Sequence, residues 1–171
     1  MIKRLLAFYR KKFWTVERLA RFNGVKIGVN CDIQDVIFGS EPYLLSIGNH
    51  VQITAGVKFF THGGAWVLRG RYPNMDFFGK ITIQDNVYIG NNSLIMPRVT
   101  IGSNVIVAAG SVVTKSVPAG AIVAGNPAKV VSNVDAFLEK MITYDVGTKG
   151  MTVDKKKAYL LSLPNSSFIK K

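Results

Sequence analysis

Cysteine, histidine and acidic residues are all scarce in this 171-residue chain, which has one cysteine, two histidines, and 10 Asp and Glu against 22 Lys and Arg. The single cysteine, Cys31, excludes an intrachain disulfide and favours a reducing compartment. No apolar run approaches the roughly 18 residues of a membrane-spanning helix. The first residues also lack an apolar stretch ending in a cleavage site. We therefore expect a cytoplasmic protein.

The excess positive charge lies mainly near the two ends of the chain. The formal net charge is +12, which calls for a polyanionic partner or substrate. Much of the excess is in "KRLLAFYRKKFWTVERLARF" and in the "KKK" and "KK" near the end, whereas the middle is nearly neutral. Because the sequence also lacks a recognisable nucleic-acid-binding motif, we expect no nucleic-acid partner.

A six-residue repeat runs through the middle of the chain. From Ile83 the units are IQDNVY, IGNNSL, IMPRVT, IGSNVI, VAAGSV and VTKSVP, each opening with Ile or Val. Similar units begin at Ile27 and Ile47, and the repeat continues into AGAIVA from Ala119. A period of six fits neither a helix stripe nor simple strand alternation. It predicts three short sides per coil, with residues roughly 18 apart stacked in the core of a triangular parallel β-solenoid.

The most specific part of the repeat is its ending, "GSVVTKSVPAGAIVAGNPAKVV". Together with the preceding units it resembles the hexapeptide-repeat acyltransferases, in the branch that holds maltose, galactoside and xenobiotic acetyltransferases and capsular-polysaccharide O-acetyltransferases. The resemblance implies an all-β left-handed parallel β-helix over residues 25–131. It also implies a homotrimer whose active sites lie in grooves between neighbouring subunits.

Non-repeating segments flank the predicted solenoid. Residues 1–24 are predicted to form a basic amphipathic helix with apolar positions at helical spacing between residues 2 and 22. Such a helix either covers the open end of the solenoid or makes peripheral contact with anionic lipid at the inner membrane face. Residues 132–171 are predicted to form a helical tail, with helices over "NVDAFLEKMI" and "VDKKKAYLLSL".

The repeat is interrupted after Phe59. The next three opening positions are an alanine, Arg71 and a phenylalanine, and an inward-pointing arginine is incompatible with a narrow aliphatic core. The phase returns at Ile83, which lies four whole repeat units beyond Phe59 and is therefore in register. We predict an excursion loop over about residues 63–80, and long loops on rigid scaffolds are usually functional.

His62 occupies a turn position at the root of this loop. The resemblance implies that it is the general base that takes a proton from an acceptor hydroxyl as that hydroxyl attacks acetyl-CoA. The residue type suits the role, because an imidazole is largely neutral at pH 7 and accepts a proton. Relatives often carry an aspartate directly after this histidine, whereas Gly63 follows here, so the group that orients the ring is unassigned. His50 is predicted to be a turn residue on another side of the prism, and two separated histidines predict no metal site.

The resemblance also assigns residues to acetyl-CoA, the acyl donor. Ala109 matches the position that contacts the pantetheine arm, and Asn91 matches a polar position near the thioester. Thr114 and Lys115 match a pair near the nucleotide end. Lys129 matches a basic residue that approaches the phosphates. For the two lysines, a solvated surface position is the alternative.

The excursion loop supplies candidates for acceptor binding. Trp66 and Tyr72 can stack on a pyranose ring, while Arg69 and Arg71 can bind an acidic sugar or a lipid diphosphate. We therefore interpret the protein as an acetyl-CoA-dependent O-acetyltransferase that acts on a sugar hydroxyl of a polysaccharide precursor or related glycoside, with a sugar or a lipid-linked glycan as acceptor. The alternatives are an N-acetyltransferase acting on an amino-sugar nucleotide and a non-catalytic hexapeptide-repeat scaffold.

Overall fold

The computed structural model describes residues 6, 9, 10 and 12–170. Short strands follow one another around three faces of a prism, and all of them pair in parallel except the last. The first face contains β1 (Lys26–Ile27), β3 (Leu45–Ile47), β6 (Ile81–Ile83) and β9 (Thr100–Ile101). The second contains β2 (Asp32–Ile33), β4 (Gln52–Ile53), β7 (Val87–Ile89), β10 (Val105–Val107), β12 (Ala121–Ala124) and the antiparallel β13 (Lys129–Asn133). The third contains β5 (Lys58–Phe59), β8 (Leu94–Ile95) and β11 (Val112–Val113).

The predicted opening residues of the repeat form the core of this prism. From Ile83 to Val113 the six openers are between 0 and 2% exposed. The fifth positions also point inward, and where they are serines their hydroxyls bond to the backbone: Ser93 Oγ donates to the Gly90 carbonyl and Ser111 Oγ to the Ala108 carbonyl, both at 2.7 Å. Because buried hydroxyls need partners, these bonds make serine compatible with the apolar core. The parallel β-solenoid read from the sequence is confirmed.

The length of a coil departs from three repeat units at both ends of the solenoid. In the middle, Thr82 pairs with Thr100, three units further on, as predicted. At the start, Ile33 pairs with Ile53, which is two positions beyond three units, and at the end Val107 pairs with Val123, which is two positions short of them. The prediction that Ala119 opens a repeat unit and points into the core was therefore wrong. Ala119 is exposed, and Val117, Ala121 and Val123 are buried instead. Because the last coil is two residues shorter than three repeat units, the inward-pointing positions after it no longer follow the six-residue count.

One corner of the prism is a ladder of side chains on left-handed backbone. Asn30, His50, Asn86 and Asn104 have φ between 54° and 57°, a conformation that asparagine and histidine tolerate better than most residues. The His50 Nδ1 atom lies 2.8 Å from Asn86 Oδ1, and Asn86 Nδ2 donates to Asn104 Oδ1 at 2.7 Å. His50 is therefore a turn residue whose ring is engaged by the neighbouring coil.

The described part of the N-terminal segment covers the open end of the solenoid. Helix α1 (Val16–Phe22) begins after Thr15, whose hydroxyl accepts from the Arg18 amide. Ala20 is 3% exposed within the core cluster. The Arg21 guanidinium donates to the carbonyls of Ile27 and Gly28, on the edge of the first coil. These bonds satisfy an edge that would otherwise be unpaired.

The predicted single helix over residues 2–22 is not what the described residues show, because Trp14 and Thr15 are non-helical. A threonine side chain that caps a new helix competes with continuation of the preceding one. Residues 1–5, 7, 8 and 11 of the predicted helical segment lie outside the described residues. No helix in the described part of the chain has the length and apolar character needed to cross a membrane.

The chain divides into two compact units, residues 1–134 and 135–171. The second unit is helical. It contains most of α3 (Val134–Met141), a 3₁₀ turn over Ile142–Tyr144, α4 (Val153–Ser162) and a final 3₁₀ turn over Asn165–Ser167. Both helices predicted in this part of the sequence are present. The tail was expected to begin at residue 132, whereas β13 continues to Asn133.

Candidate active site

His62 lies at the corner where the excursion loop leaves the prism. Strand β5 ends at Phe59 on the third face, and β6 begins at Ile81 on the first face. Between them, His62 forms an antiparallel bridge with Phe78, and the Gly79 amide donates to the Thr61 carbonyl at 2.7 Å. We call this closed point, residues 61–62 and 78–79, the loop neck. The neck holds His62 on rigid backbone at the edge of the solenoid.

The His62 ring is held by a carboxylate from the preceding coil. Its Nδ1 atom lies 2.8 Å from Glu41 Oε2, and the Thr61 hydroxyl donates to the same oxygen at 2.6 Å. The Glu41 side chain is only 16% exposed, whereas that of His62 is 43% exposed. The Phe78 ring packs edge-on against the imidazole, with 5.5 Å between ring centroids. The Nδ1 atom of His62 is therefore held by a contact within the protein, although the side chain as a whole is partly exposed.

Glu41 is the candidate site residue that sequence reasoning missed. Hydrogen bonds, first that from Thr61 and then that from His62, hold the pKa of Glu41 below its usual value of 4.5, against the opposing effect of burial. Glu41 is thus a carboxylate at neutral pH and accepts the Nδ1–H of His62. The other ring nitrogen, Nε2, then carries the lone pair that can accept a proton.

A coil of three repeat units would have placed Leu44, and not Glu41, beside His62. The first coil instead has two extra residues, which are accommodated at the 3₁₀ turn Pro42–Leu44. On the third face the offset between coils is 21 residues, because Ile37 forms a parallel bridge with Lys58. Glu41 therefore lies level with His62 and contacts both His62 and Thr61. The sequence carries a signal of this insertion. Ile33 and Ile47 both open units, yet the spacing between them is not a multiple of six.

A shallow groove of about 280 Å³ adjoins the imidazole on the third face. It is lined by residues 37, 39, 40 and 58–62. The side chains of Ile37 and Phe60 are 54% and 38% exposed there, and Lys58 contributes a positive charge. Small-molecule sites usually measure about 300–1,000 Å³ and enclose most of their ligand, so this groove does not enclose a small molecule by itself. Within the described residues, no group of three or more His, Cys, Asp or Glu side chains is placed to hold a metal ion.

The residues assigned to acetyl-CoA fall at two corners and on one strand. Asn91 and Ala109 lie between the second and third faces, in adjacent coils joined by a 2.8 Å bond from the Gly110 amide to the Asn91 carbonyl. Thr114 and Lys115 follow β11 at the corner that carries His62. Lys129 begins β13. All five are exposed.

The corner of Asn91 and Ala109 is separated from the corner of His62 by the full width of the third face. That width is one repeat, up to about 20 Å at roughly 3.3 Å per residue. Gly90 packs against the Ala109 backbone so closely that a Cβ would lie 2.5 Å from the Ala109 nitrogen. Only glycine allows these coils to stack at this point, and the side chains beside it, Ala108 and Ala109, are small.

The four acceptor-binding candidates all lie on the excursion loop. Trp66, on the short helix α2 (Ala65–Leu68), is 81% exposed, and Tyr72 is 56% exposed. Arg71 is exposed as well. Arg69 instead supports the loop itself, because its Nε donates to the Met75 carbonyl at 3.1 Å and its Nη2 lies 3.8 Å from Asp76. Of the four candidates, the two aromatic rings and Arg71 are thus exposed to solvent, and Arg69 is bonded to the loop.

Comparison with known proteins agrees with this architecture. Residues 80–115 match the family model described as "Bacterial transferase hexapeptide (six repeats)". The chain is 47% identical to Protein CapG of Staphylococcus aureus over 165 residues, which is 94% of this chain and 95% of the relative. It is 31% identical to galactoside O-acetyltransferase of Escherichia coli K12 over 138 residues, 79% of this chain and 68% of that relative.

A solved structure shares the solenoid. The hexapeptide-repeat-containing acetyltransferase of Vibrio cholerae O1 biovar eltor, complexed with acetyl coenzyme A, matches with a TM-score of 0.53 and 31% identity, over 64% of this chain and 60% of that one. The left-handed parallel β-helix implied by the sequence resemblance is therefore confirmed. From the repeat, the fold and these two relatives, we conclude that the chain belongs to the hexapeptide-repeat acetyltransferases, a family of enzymes.

Proposed function

We propose that this protein transfers an acetyl group from acetyl-CoA to a sugar hydroxyl of a polysaccharide precursor or related glycoside, with His62 as general base. The observation that carries the proposal is the 2.8 Å pair of His62 Nδ1 and Glu41 Oε2 at the loop neck. The name of the galactoside O-acetyltransferase relative supports a sugar hydroxyl as acceptor. The acetyl coenzyme A complex of the solved relative supports the donor.

The arrangement suits one proton-transfer step. His62 Nε2 accepts the proton of the acceptor hydroxyl while the hydroxyl oxygen forms its bond to the acetyl carbonyl carbon. The carbon–sulfur bond breaks, the coenzyme thiolate leaves with the electron pair, and the imidazolium returns the proton to that sulfur. Glu41 fixes the ring orientation and stabilises the transient positive charge. Positioned general bases contribute roughly 10² to 10⁴ in rate, and in the proposed site the Asn91 amide donates to the developing oxyanion.

The site is completed by a neighbouring subunit in this proposal. Within one chain, the His62 corner and the corner of Asn91 and Ala109 lie at opposite edges of the third face, so a single prism does not enclose a substrate. In a closed homotrimer, the His62 corner of one chain faces the Ala109 surface of the next. The small side chains of the Ala109 surface leave room for an extended pantetheine arm, and the exposed cations of Lys115 and Lys129 suit the phosphates of the coenzyme.

The acceptor approaches from the excursion loop, where Trp66 and Tyr72 stack on its ring and Arg71 meets its charge. Arg69 holds the loop in shape.

We further propose a cytoplasmic enzyme at the inner membrane face. In the described part of the N-terminal segment, the Arg10 guanidinium lies 4.0 Å from the Phe22 ring centroid and that of Arg18 lies 4.3 Å from the Trp14 centroid. Interleaved basic and aromatic side chains suit an anionic lipid interface, where a lipid-linked glycan would be found.

The direct test is transfer itself. The protein is incubated with acetyl-CoA and a panel of neutral, acidic and amino glycosides, and products are detected by mass spectrometry. We expect an acetyl adduct that hydroxylamine cleaves, as an ester, and that the His62→Ala variant does not form. A hydroxylamine-stable product found only with the amino glycosides would instead identify an N-acetyltransferase.

A further inference from the structure

Arg98 adopts a backbone conformation that its side chain disfavours. Its φ is +67°, whereas the other five described non-glycine residues with positive φ are four asparagines and one histidine: Asn30, His50, Asn86, Asn92 and Asn104. Those side chains are tolerated in the left-handed region, whereas arginine has no short polar group to bond locally. Glycine is the default residue for such a corner. Residues kept in disfavoured conformations cluster at binding and active sites.

The corner of Arg98 is the one that carries His62. Phe59 and Ile95 are paired across β5 and β8, and His62 and Arg98 each lie three residues beyond that pair. Gly79 of the loop neck donates to the Thr61 carbonyl, and a Cβ on Gly79 would collide with the Arg98 backbone nitrogen. Adjacent strands lie about 4.8 Å apart, so roughly one to two strand spacings separate the His62 and Arg98 backbones.

The charge of Arg98 is free to bind a ligand. Its side chain is exposed, and within the described part of the chain no hydrogen bond or ion pair engages its guanidinium. Arg21 and Arg69, by contrast, bond to backbone carbonyls. A guanidinium binds a carboxylate or a phosphate through two parallel hydrogen bonds. A free one beside a candidate base and the root of the acceptor loop suits a substrate anion.

We propose that Arg98 is a specificity residue that binds an anionic group, a carboxylate or a phosphate ester, on the acceptor. The proposal rests on the proposed function, because it places the acceptor at the His62 corner. The contact of Arg98 with the loop neck favours the acceptor over the donor, since the neck supports the loop that carries Trp66 and Tyr72. The donor phosphates are the competing source of the same chemistry, and the experiment separates the two.

The test compares three p-nitrophenyl β-glycosides that differ only at carbon 6: the neutral glucoside, the glucuronide and the glucoside 6-phosphate. Dissociation constants are measured by titration for the wild type and for Arg98→Gly, with coenzyme A titrated separately. We expect the wild type to bind at least one anionic glycoside about tenfold more tightly than the glucoside, as a charge-assisted pair allows. Arg98→Gly should lose that preference and bind the glucoside and coenzyme A unchanged.

Arg98→Gly should lose the anionic preference and yet be at least as stable as the wild type. This combination distinguishes a specificity role from a structural one. Glycine relieves the left-handed strain, so the Tm of Arg98→Gly should not fall and should rise by about 2–4 °C. Asn30→Gly is the matched control: it changes another left-handed corner, at φ +55°, and should leave the anionic preference intact. Arg98→Lys should retain part of the preference, because it keeps the charge without the fork.

Three results would overturn the proposal. The first is a wild type that shows no preference between neutral and anionic glycosides. The second is an Arg98→Gly variant that keeps the preference. The third is weaker coenzyme A binding in Arg98→Gly with the glycoside preference unchanged, which would assign the residue to the donor phosphates. All three are binding measurements, so they remain distinct from a failure of the proposed function, which would appear as undiminished transfer by His62→Ala.

Discussion

His62 and Glu41 are 21 residues apart in the chain, yet their side chains meet at 2.8 Å because they lie in consecutive coils. The contact depends on the extra length of the first coil, in which Ile37 pairs with Lys58, and on Thr61, which is 1% exposed and donates to the same carboxylate oxygen. The ring is therefore oriented by coil stacking and not by a neighbour in sequence. A carboxylate held from below by a buried hydroxyl has little freedom to move away from the imidazole.

Removal of the imidazole should abolish most of the proton transfer. We expect His62→Ala to lower kcat by roughly 10² to 10⁴ with little change in the KM for acetyl-CoA, the usual effect of losing a general base. The control is His50→Asn, which removes the other histidine and keeps a residue suited to φ +54°. Steady-state kinetics of both variants provide the check. Near-full turnover by His62→Ala would reduce His62 to a turn residue.

Neutralising Glu41 should have a smaller effect of the same kind. Glu41→Gln keeps an oxygen that can accept the Nδ1–H but loses the negative charge that stabilises the imidazolium. We expect kcat to fall by at least about tenfold, and by less than in His62→Ala. Glu17→Gln is the matched control, since Glu17 pairs with Arg21 on α1. If both glutamine variants retain wild-type kcat, Glu41 does not assist the base.

Glu41 should also make stability depend on pH in acid. Its pKa is lowered in the folded protein, so its stabilising effect is complete above its usual value of 4.5 and is lost as pH falls through the lowered value. The Tm difference between the wild type and Glu41→Gln should therefore be largest near neutrality and shrink in acid. Thr61→Val removes the strongest cause of the shift, so in that background the loss should be smaller and should be complete at a higher pH. A difference that is constant with pH would contradict the assignment.

The sequence predicts the solenoid well because every coil buries the same kind of residue at the same place. Opening residues such as Ile89, Ile95 and Ile101 are 0% exposed, and a six-residue period of β-branched residues has few other structural interpretations. Ala119 was misplaced because the last coil is shorter by two residues. The position of each inward-pointing residue in such a fold is predicted by counting from the preceding coil. An insertion or deletion in one coil therefore shifts the predicted position of every inward-pointing residue after it.

The candidate site was less predictable than the fold for the same reason. His62 could be singled out because it adjoins the interruption of the repeat. Glu41 could not be paired with it without knowing that the first coil is longer than three repeat units, by three residues at the bridge between Ile37 and Lys58. Arg98 looks like an ordinary turn residue in the unit IMPRVT. Its left-handed backbone and its contact with Gly79 are visible only once the chain is folded.

Shortening the excursion loop should separate folding from acceptor recognition. Residues 65–77 are replaced by a short Gly-Ser turn, which leaves the bridge between His62 and Phe78 and the 2.7 Å bond from Gly79 to Thr61 in place. We expect the solenoid to fold and to bind coenzyme A as before, because the register resumes at β6. Acceptor turnover should vanish, since Trp66, Arg71 and Tyr72 are lost. Unchanged acceptor kinetics would show that the loop has no part in recognition.

Two inactive variants should rescue each other if each site is built from two subunits. His62→Ala removes the base, and Ala109→Tyr fills the proposed path of the pantetheine arm with a bulky ring. Each variant alone should be nearly inactive. In trimers formed by refolding an equal mixture, about a quarter of the grooves receive an intact His62 from one chain and an intact Ala109 surface from its neighbour, given closed threefold assembly.

Activity should then return to about a quarter of the wild-type rate, provided that native mass spectrometry confirms mixed trimers. The control is a mixture in which one chain carries both substitutions and the other is wild type. That mixture has the same composition and again leaves about a quarter of the intersubunit grooves intact, but it leaves about half intact if both elements come from one chain. Equal recovery in the two mixtures therefore supports the shared groove, because only a groove between two chains leaves the same fraction of sites intact in both mixtures. The separation of the two corners of a single prism by a full face agrees with this arrangement. No recovery from the two single variants, beside about half from the control, would place His62 and the Ala109 surface in one chain's own site.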